Sequence, residues 1–195
     1  MKKILIIAVL ALSFATAYSQ RSITSFQYSV GFGTGNMHDF ISAASFRGFT
    51  IDYRSMVNQN IGVGVDIGWN VFYDEMPDAV YEYNNITYAG KQWRYSNEFP
   101  ILGAVDYYLK PDANVVPYVG LGLGTMYSLQ NTDMGTYTFE KDAWHFTLRP
   151  EIGLMIEPAP GVGLNVVGKY YYGFKAGDLP AQGFFTLNFG FVFVN

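Results

Sequence analysis

The chain has 195 residues, of which 18% are aromatic and only 14% charged, with no cysteine and a formal net charge of −4. Its length suits one domain, its negative charge argues against a nucleic-acid partner, and the lack of cysteine excludes a disulfide framework, a lipoprotein anchor and a thiol nucleophile. Soluble domains carry about 25% charged residues. A chain this aromatic and this poor in charge, with no second long apolar run after its N-terminus, is typical of a membrane barrel.

The N-terminus predicts a secretory signal peptide. Lys2 and Lys3 precede an apolar run over residues 4–12, and small residues follow around Ala17, as in the charged, apolar and A-x-A-like regions of such a leader. The run is too short to cross a bilayer as a helix, which needs about 20 apolar residues. We expect residues 1–19 to be the signal peptide, cleaved after Ala17 or Ser19. Residues 20–195 then form one outer-membrane β-barrel domain, with a net charge of −6 once both lysines are removed.

The rest of the chain alternates between large apolar residues and small or polar ones. In residues 61–69, IGVGVDIGW, the odd positions are large and the even positions are glycine or Asp66. Because successive side chains of a strand point to opposite faces, this strand has one bulky face and one nearly bare face. Residues 61–71 form one of eight segments with this alternation. The other seven are residues 26–32, 49–53, 99–109, 119–127, 144–156, 162–172 and 185–193.

Long and short connections alternate between these segments. In chain order they are residues 36–46, 57–60, 73–91, 110–115, 129–143, 157–161 and 175–183. Outer-membrane barrels have an even number of antiparallel strands, short periplasmic turns and longer extracellular loops. We therefore predict an all-β fold, an eight-stranded antiparallel up-and-down transmembrane β-barrel with its bulky face toward lipid. A soluble lipocalin-like barrel is the disfavoured alternative, because an eight-stranded interior is barely wide enough for its own side chains.

Aromatic residues gather toward the ends of the predicted strands, where Trp and Tyr form the interfacial girdles of such barrels. The residues expected in the girdle near the long loops are Trp69, Trp93, Tyr95, Tyr127, Trp144 and Tyr172, with Tyr107 at the opposite rim. Pro150 falls in mid-strand on the lipid face, where its missing N–H is costly. A β-bulge is expected there.

Three strands carry a resemblance to a known family. They are EFPILGAVDYYL at 98–109, YVGLGLGT at 118–125 and the closing FFTLNFGFVFV at 184–194. With the overall strand pattern, they make the chain similar to the small OmpA/OmpX/OmpW-type outer-membrane β-barrel family, a porin-like family of the Gram-negative cell envelope. The resemblance implies that the closing strand is an assembly signal for the barrel-assembly machinery, carried by Phe189, Gly190, Phe191 and Phe193. Such signals end on an aromatic residue, whereas Val194 and Asn195 follow Phe193 here.

Charged residues on the predicted inward face suggest what fills the lumen. They are Asp52, Arg54, Asp66, Asp106, Arg149, Glu151 and Lys169. Charges in a confined interior persist only when they are paired and hydrogen-bonded. One interpretation is a proton or ion path, and the other is a salt-bridge network that plugs the lumen. We favour the plug, with Arg54 facing the region of Gly64 and Asp66 across a short turn.

Catalytic, cofactor and metal sites have little support in the sequence. His145 and Thr147 are faintly similar to the His-x-Ser of lipid A deacylases, but threonine replaces the nucleophile and both residues are expected to point inward. His38 and Asp39 could begin an acid–base or metal pair, but no neighbouring residue completes a ligand set. We expect no catalytic residue, no cofactor and no metal ion.

The predicted function is that of a non-enzymatic barrel in the bacterial outer membrane that supports envelope integrity and interacts with its surroundings through extracellular loops. The loop at 73–91, YDEMPDAVYEYNNITYAGK, mixes acids with tyrosines and is the candidate site for a surface ligand. The expected partners are outer-membrane lipid, lipopolysaccharide and the barrel-assembly machinery, without nucleic acid, and the protein is expected to be a monomer. A narrow channel or lateral path for small hydrophobic molecules is the alternative that the OmpW resemblance implies. A lipid-modifying enzyme is less favoured.

Overall fold

A computed structural model describes residues 21–83, 86–111, 113–159 and 161–195. The predicted signal peptide lies outside these residues. The chain forms eight strands and one short helix, α1, between the first two strands. The strands are β1 (Ser22–Thr34), β2 (Ser45–Met56), β3 (Ile61–Tyr83), β4 (Ile86–Tyr108), β5 (Val115–Met134), β6 (Tyr137–Ala159), β7 (Val162–Gly173) and β8 (Gln182–Val194), and α1 is Asn36–Phe40.

The strands close into an antiparallel barrel in which each strand pairs with its neighbours in the chain. The first and last strands complete the ring through a continuous ladder from Ile23↔Val194 to Thr34↔Gly183. This confirms the predicted eight-stranded up-and-down barrel. Among the described residues, no helix is long and apolar enough to cross a bilayer.

The two faces of the wall differ as the alternation predicts. Val65, Leu121 and Ile152 are among the exposed outer residues, with exposed fractions of 50%, 48% and 67%. Polar and charged side chains such as Asp66 and Arg149 lie buried on the opposite side. An apolar outer band around a polar interior suits a wall that faces lipid on one side only.

Inward glycines permit close approach between strands. A Cβ at Gly64 would overlap the carbonyl oxygen of Tyr53, and a Cβ at Gly190 would overlap that of Phe26. These contacts involve backbone atoms, so a side chain could fit only if the strands moved apart. Glycine at such positions allows a narrow sheet to bend and close.

The segment predicted as a long loop at 73–91 is a β-hairpin, so that prediction is wrong. Strands β3 and β4 continue to pair from Tyr73↔Tyr95 to Tyr83↔Ile86, with a register shift between Met76 and Ala79. The tyrosines and acids there do not show the alternating large apolar residues of a lipid-facing strand. The sequence pattern therefore did not indicate that the two strands pair in this segment. Cross-strand contacts such as Tyr73 with Tyr95, whose ring centroids are 4.9 Å apart, stabilise it instead.

The predicted connection at 129–143 is also mostly strand. Strands β5 and β6 pair as far as Met134↔Tyr137, and Gly135 adopts a φ of +60° in the turn between them. Both hairpins project from the same end of the barrel, because the two-residue connections alternate with turns such as residues 57–60 at the other end. Outer-membrane barrels carry their longer connections on the extracellular side, so we expect the projecting end to be extracellular.

The bulge expected at Pro150 is absent. The pairs Leu148↔Tyr172 and Glu151↔Lys169 keep one register on either side of it, and β6 pairs with β5 directly through Leu121↔Pro150. The missing N–H of Pro150 therefore interrupts the hydrogen bonding toward β7, but the strand contains no extra residue there. In this ladder the register shifts only between Ile156 and Ala159, near the turn to β7.

Helix α1 closes the extracellular mouth. Its Met37 and the following Ile41 are fully buried, and the helix packs against β1 and β8. The local sequence NMHDF is too short to be recognised by helical periodicity, so this helix was not expected.

Candidate functional site: the filled barrel lumen

The structure brings the seven charged residues of the inward face together in the middle of the lumen. None has more than 7% of its side chain exposed. They come from β2, β3, β4, β6 and β7, so the cluster reaches across the barrel. In a region without bulk water, each charge needs a partner.

Arg54 holds three acids from three different strands. Its Nη1 donates to Asp66 Oδ1 at 2.9 Å and its Nε to Asp106 Oδ2 at 2.6 Å. Its Nη2 lies 3.5 Å from Glu151 Oε1. Guanidinium groups suit such a junction because several N–H donors project from one rigid plane.

Two further cations complete the network. Arg149 pairs with both Asp66 and Glu151. Lys169 Nζ donates to the two carboxylate oxygens of Asp52 at 2.9 and 2.8 Å and lies 3.9 Å from Glu151. Asp52 and Asp66 are direct cross-strand neighbours. The cations therefore offset the repulsion between two neighbouring carboxylates.

An apolar cluster closes the lumen below the charges, at the short-turn end. Its buried residues are Ile23, Met56, Tyr108, Val116, Tyr118, Met155, Val167 and Val192. A cavity of about 10 Å³ remains where this cluster meets Asp52, Arg54 and Asp106. That volume is at the limit for a single water molecule, so this end carries no water column.

A second apolar cluster lies above the charges. It joins α1 to the barrel wall through Met37, Ile41, Phe72, Leu102, Met126, Tyr171 and Phe184. The Phe184 ring stacks on Tyr171 with centroids 4.6 Å apart and meets Phe72 edge-on at 5.3 Å. The charge network is thus enclosed by apolar side chains on both sides along the barrel axis.

Glu98 is an inward acid that sequence reasoning missed. It is fully buried, and it accepts hydrogen bonds from Ser96 Oγ at 2.7 Å and from Ser128 Oγ. No cation in the described part of the chain pairs with it. The sequence did indicate this position, because Glu98 is an even number of residues from Ala104 and Asp106 in β4 and therefore lies on the same face of the strand.

The aromatic residues expected in the girdle occupy different levels. Trp69, Tyr127 and Trp144 lie in one row with Phe49 and Phe99 through cross-strand pairing and ring contacts. Tyr172 lies on β7 opposite Leu148 and contacts Phe174, and Tyr107 is 48% exposed near the other rim.

Trp93 and Tyr95 lie beyond this row. Trp93 precedes Phe99 by six residues in β4, or roughly 20 Å of strand, toward the β3–β4 connection. Both side chains are therefore on the projecting hairpin, where Tyr95 packs against Tyr73.

The residues of the predicted assembly signal lie in β8 at the seam of the barrel. Phe189, Phe191 and Phe193 are exposed on the outer face, and Phe193 meets Phe26 of β1 edge-on at 6.1 Å. Gly190 lies between them on the inward side. The strand thus combines outward aromatic side chains with the closing β1–β8 ladder.

The histidine and threonine of strand β6 do not form a nucleophile–base pair. Thr147 Oγ donates to the carbonyl oxygen of His145 at 3.2 Å, and His145 Nδ1 contacts the carbonyl oxygen of Phe174 at 2.7 Å. Within the described ranges, no group of three or more histidine, aspartate or glutamate residues is arranged to hold a metal ion.

A closed barrel with an apolar exterior and a sealed polar interior defines a class, the membrane-spanning β-barrels, since only a closed sheet satisfies its backbone groups in lipid. A family model described as outer membrane protein beta-barrel domain matches residues 5–193. The chain belongs to this family, and its place is the bacterial outer membrane. None of the curated proteins compared with the chain matches it.

Solved structures with the same fold are small outer-membrane barrels. Ail of Yersinia pestis, in complex with the heparin analogue sucrose octasulfate, is 16% identical with a TM-score of 0.55, over 89% of this chain and 99% of Ail. Neisserial surface protein A is 13% identical with a TM-score of 0.53, over 89% and 96%. OprG of Pseudomonas aeruginosa is 14% identical with a TM-score of 0.53, over 90% and 96%. At these identities the likeness concerns the fold.

Proposed function

We propose that the protein is a non-enzymatic barrel, closed to ions, that supports the outer membrane and interacts with its surroundings through the surface beyond the membrane. The single observation that carries this proposal is the filling of the lumen. Three cations and four acids occupy its middle, with apolar clusters above and below. Paired charges stabilise the wall across the barrel without leaving a water-filled path.

The surface for interactions is the projecting β3–β4 and β5–β6 hairpins with α1, the first residues of β2 and the β7–β8 connection. Acids outnumber bases there by nine to five. The acids are Asp39, Asp74, Glu75, Asp78, Glu82, Asp133, Glu140, Asp142 and Asp178, and the bases are Arg47, Lys91, Arg94, Lys141 and Lys175. An acidic tip disfavours a polyanion such as the heparin analogue bound to Ail, because like charges repel on approach.

The membrane-facing partners follow from the outer band. Lipid and lipopolysaccharide cover its exposed apolar side chains, and the aromatic row at Trp69, Tyr127 and Trp144 meets the lipid headgroups. We further propose export with removal of residues 1–19, assembly through the β8 aromatic residues, and a monomeric state, since the closed ring has no free edge within the membrane.

A non-enzymatic role is supported by the chemistry of the lumen. Each buried carboxylate of the network has a cation beside it, and the hydroxyl of Thr147 donates to a backbone carbonyl. A lipid-modifying site would need a nucleophile and a base open to the membrane face, whereas His145 is fully buried inside.

Conductance of the purified protein in a planar bilayer tests the closed lumen. The wild type should pass no steady current and open rarely. Arg54→Ala removes the common partner of Asp66 and Asp106 and should open more often, because it leaves Asp106 buried without its cation and Asp66 with Arg149 alone. Arg47→Ala removes the same charge from the exposed surface, where Arg47 lies over the Tyr73 ring, and should behave as the wild type. A large steady wild-type current would contradict the proposal and favour the channel alternative.

A further inference from the structure

A cavity of about 290 Å³ opens at the extracellular mouth, separate from the charge network. It lies between α1, the β4–β5 ladder and the segment before β8, and the side chains that matter are Asn36, Asp39, Phe40, Gln92, Arg94 and Thr132. The volume is at the lower end of the range for small-molecule sites. It therefore suits a small molecule.

Arg94 is held rigidly in one wall of this cavity. Its Nε donates to Gln92 Oε1 at 2.9 Å and its Nη1 to the carbonyl oxygen of Phe40 at 3.0 Å. Its guanidinium carbon lies 5.3 Å from the centre of the Phe40 ring. These contacts leave Nη2 for a ligand, and a pre-ordered guanidinium loses little freedom on binding an anion.

The same wall offers two further polar groups. Gln92 and Thr132 are buried, with exposed fractions of 3% and 7%. Gln92 uses Oε1 to accept from Arg94, whereas its Nε2 and the hydroxyl of Thr132 make no hydrogen bond with a described residue. Both groups line the cavity beside Arg94, so this part of the lining presents donors.

The α1 residues in the same lining present acceptors. The Asp39 carboxylate forms no ion pair with any residue in the described ranges, although Arg94 lines the same cavity. Asn36 donates through Nδ2 to the carbonyl oxygen of Ala181 at 2.9 Å, which leaves Oδ1 as its acceptor. The cavity thus contains both a cationic donor and an anionic acceptor.

From this combination of opposite charges we propose that the cavity binds a free α-amino acid. Its carboxylate meets Arg94, Gln92 and Thr132, and its ammonium group meets Asp39 and Asn36. A zwitterion pairs one charged group with Arg94 and the other with Asp39 and adds no net charge, whereas a neutral sugar carries neither charge.

The inference rests on the proposed function, because it names a ligand class for the surface beyond the membrane. Amino-acid binding is measured without an electrical current, and the conductance recording that tests the closed lumen uses no amino acid. The failure of one proposal is therefore distinguishable from the failure of the other.

The test is a titration of L-alanine into the whole protein in detergent micelles, followed by amide NMR shifts of α1 and β4. Saturable binding is expected. N-acetyl-L-alanine lacks the ammonium group and L-alaninamide lacks the carboxylate, and each should bind about tenfold more weakly or worse, the loss of one charged hydrogen bond.

Two matched variants locate the site. Asp39→Asn should weaken L-alanine about tenfold but should not weaken N-acetyl-L-alanine, since that probe has no ammonium group to pair with Asp39. Asp178→Asn makes the same change at an exposed acid outside the cavity and should leave both unchanged. Equal binding of L-alanine and N-acetyl-L-alanine, preference for glucose, or no saturable binding of L-alanine would each overturn the proposal.

Discussion

At the scale of single residues, the narrow interior depends on glycines, which leave space, as well as on the charged side chains that pair. Gly120 and Gly122 lie opposite Glu151 and Arg149 in the β5–β6 ladder. A Cβ at Gly122 would come within 2.9 Å of Arg149 Nε. Glycine on β5 therefore leaves the space in which the charges of β6 meet.

Gly64→Ala tests this dependence at the backbone. The new Cβ would overlap the carbonyl oxygen of Tyr53, so we expect a loss of about 1–3 kcal/mol, as for other overpacked positions. Gly103→Ala is the control, because its Cβ would meet nothing closer than Leu123 O at 3.8 Å. Urea unfolding of the refolded barrel in lipid vesicles measures both. Equal stability of the two variants would refute the close approach.

The outer face is tested by one substitution at two heights on β3. Val65→Arg places a cation on the lipid face near the midplane and should cost about 2–4 kcal/mol of folding free energy. Val80→Arg makes the same change on the projecting hairpin, where Val80 is 68% exposed, and should cost little. Folding yield into lipid vesicles compares them. Similar losses at both positions would contradict the facing or the height assigned to Val65.

At the scale of elements, the first extracellular connection is fastened to β3 by one carboxylate. Asp74 Oδ2 accepts from Ser42 N at 3.0 Å, Ser42 Oγ at 2.9 Å and Ala43 N at 3.3 Å. Partial burial alone would raise the pKa of Asp74, but these hydrogen bonds outweigh it, so its pKa is lowered from the ordinary value of 3.8. The link favours the ionised form.

This link should weaken in acid. Because folding lowers the pKa of Asp74, its stabilising contribution is complete above the ordinary value of 3.8 and is lost as the pH falls through the lower folded value. The amide proton shifts of Ser42 and Ala43 should therefore titrate together below about pH 4. Asp74→Asn should abolish that titration, and Asp78→Asn should leave it intact. A flat wild-type profile would exclude the link.

At the scale of the whole molecule, closure of the ring determines how the protein resists unfolding. Every strand has two neighbours at membrane depth, and β1 pairs with β8 over twelve residue pairs. A ring without a free edge has no strand that detergent can peel away first.

The folded protein should therefore stay compact in SDS until it is boiled, which a shift in gel mobility reports. Deletion of residues 190–195 removes part of the seam and should abolish this resistance. Deletion of residues 79–90 shortens only the projecting hairpin and should retain it. Resistance in the first variant, or its loss in the second, would show that closure is not the cause.

The sequence by itself determined the wall of the barrel. Side chains alternate along a strand whatever its neighbours are, so parity alone assigned Val65 to lipid and Asp66 to the lumen. The same rule gave the strand number and the inward placement of the seven charges. It applied equally to Glu98, although the acid was overlooked among the apolar residues of its segment.

Only the tertiary structure decided what the parity rule leaves open. Which acid meets Arg54, how far the hairpins continue beyond Trp69, and how Met37 and Ile41 enter the mouth all depend on contacts between strands distant in sequence. The length of the β3–β4 hairpin follows from cross-strand pairs such as Tyr73 with Tyr95, not from the hydropathy of either strand. Alternation is a property of one chain segment, whereas pairing across the lumen is set by the closure and stagger of all eight strands.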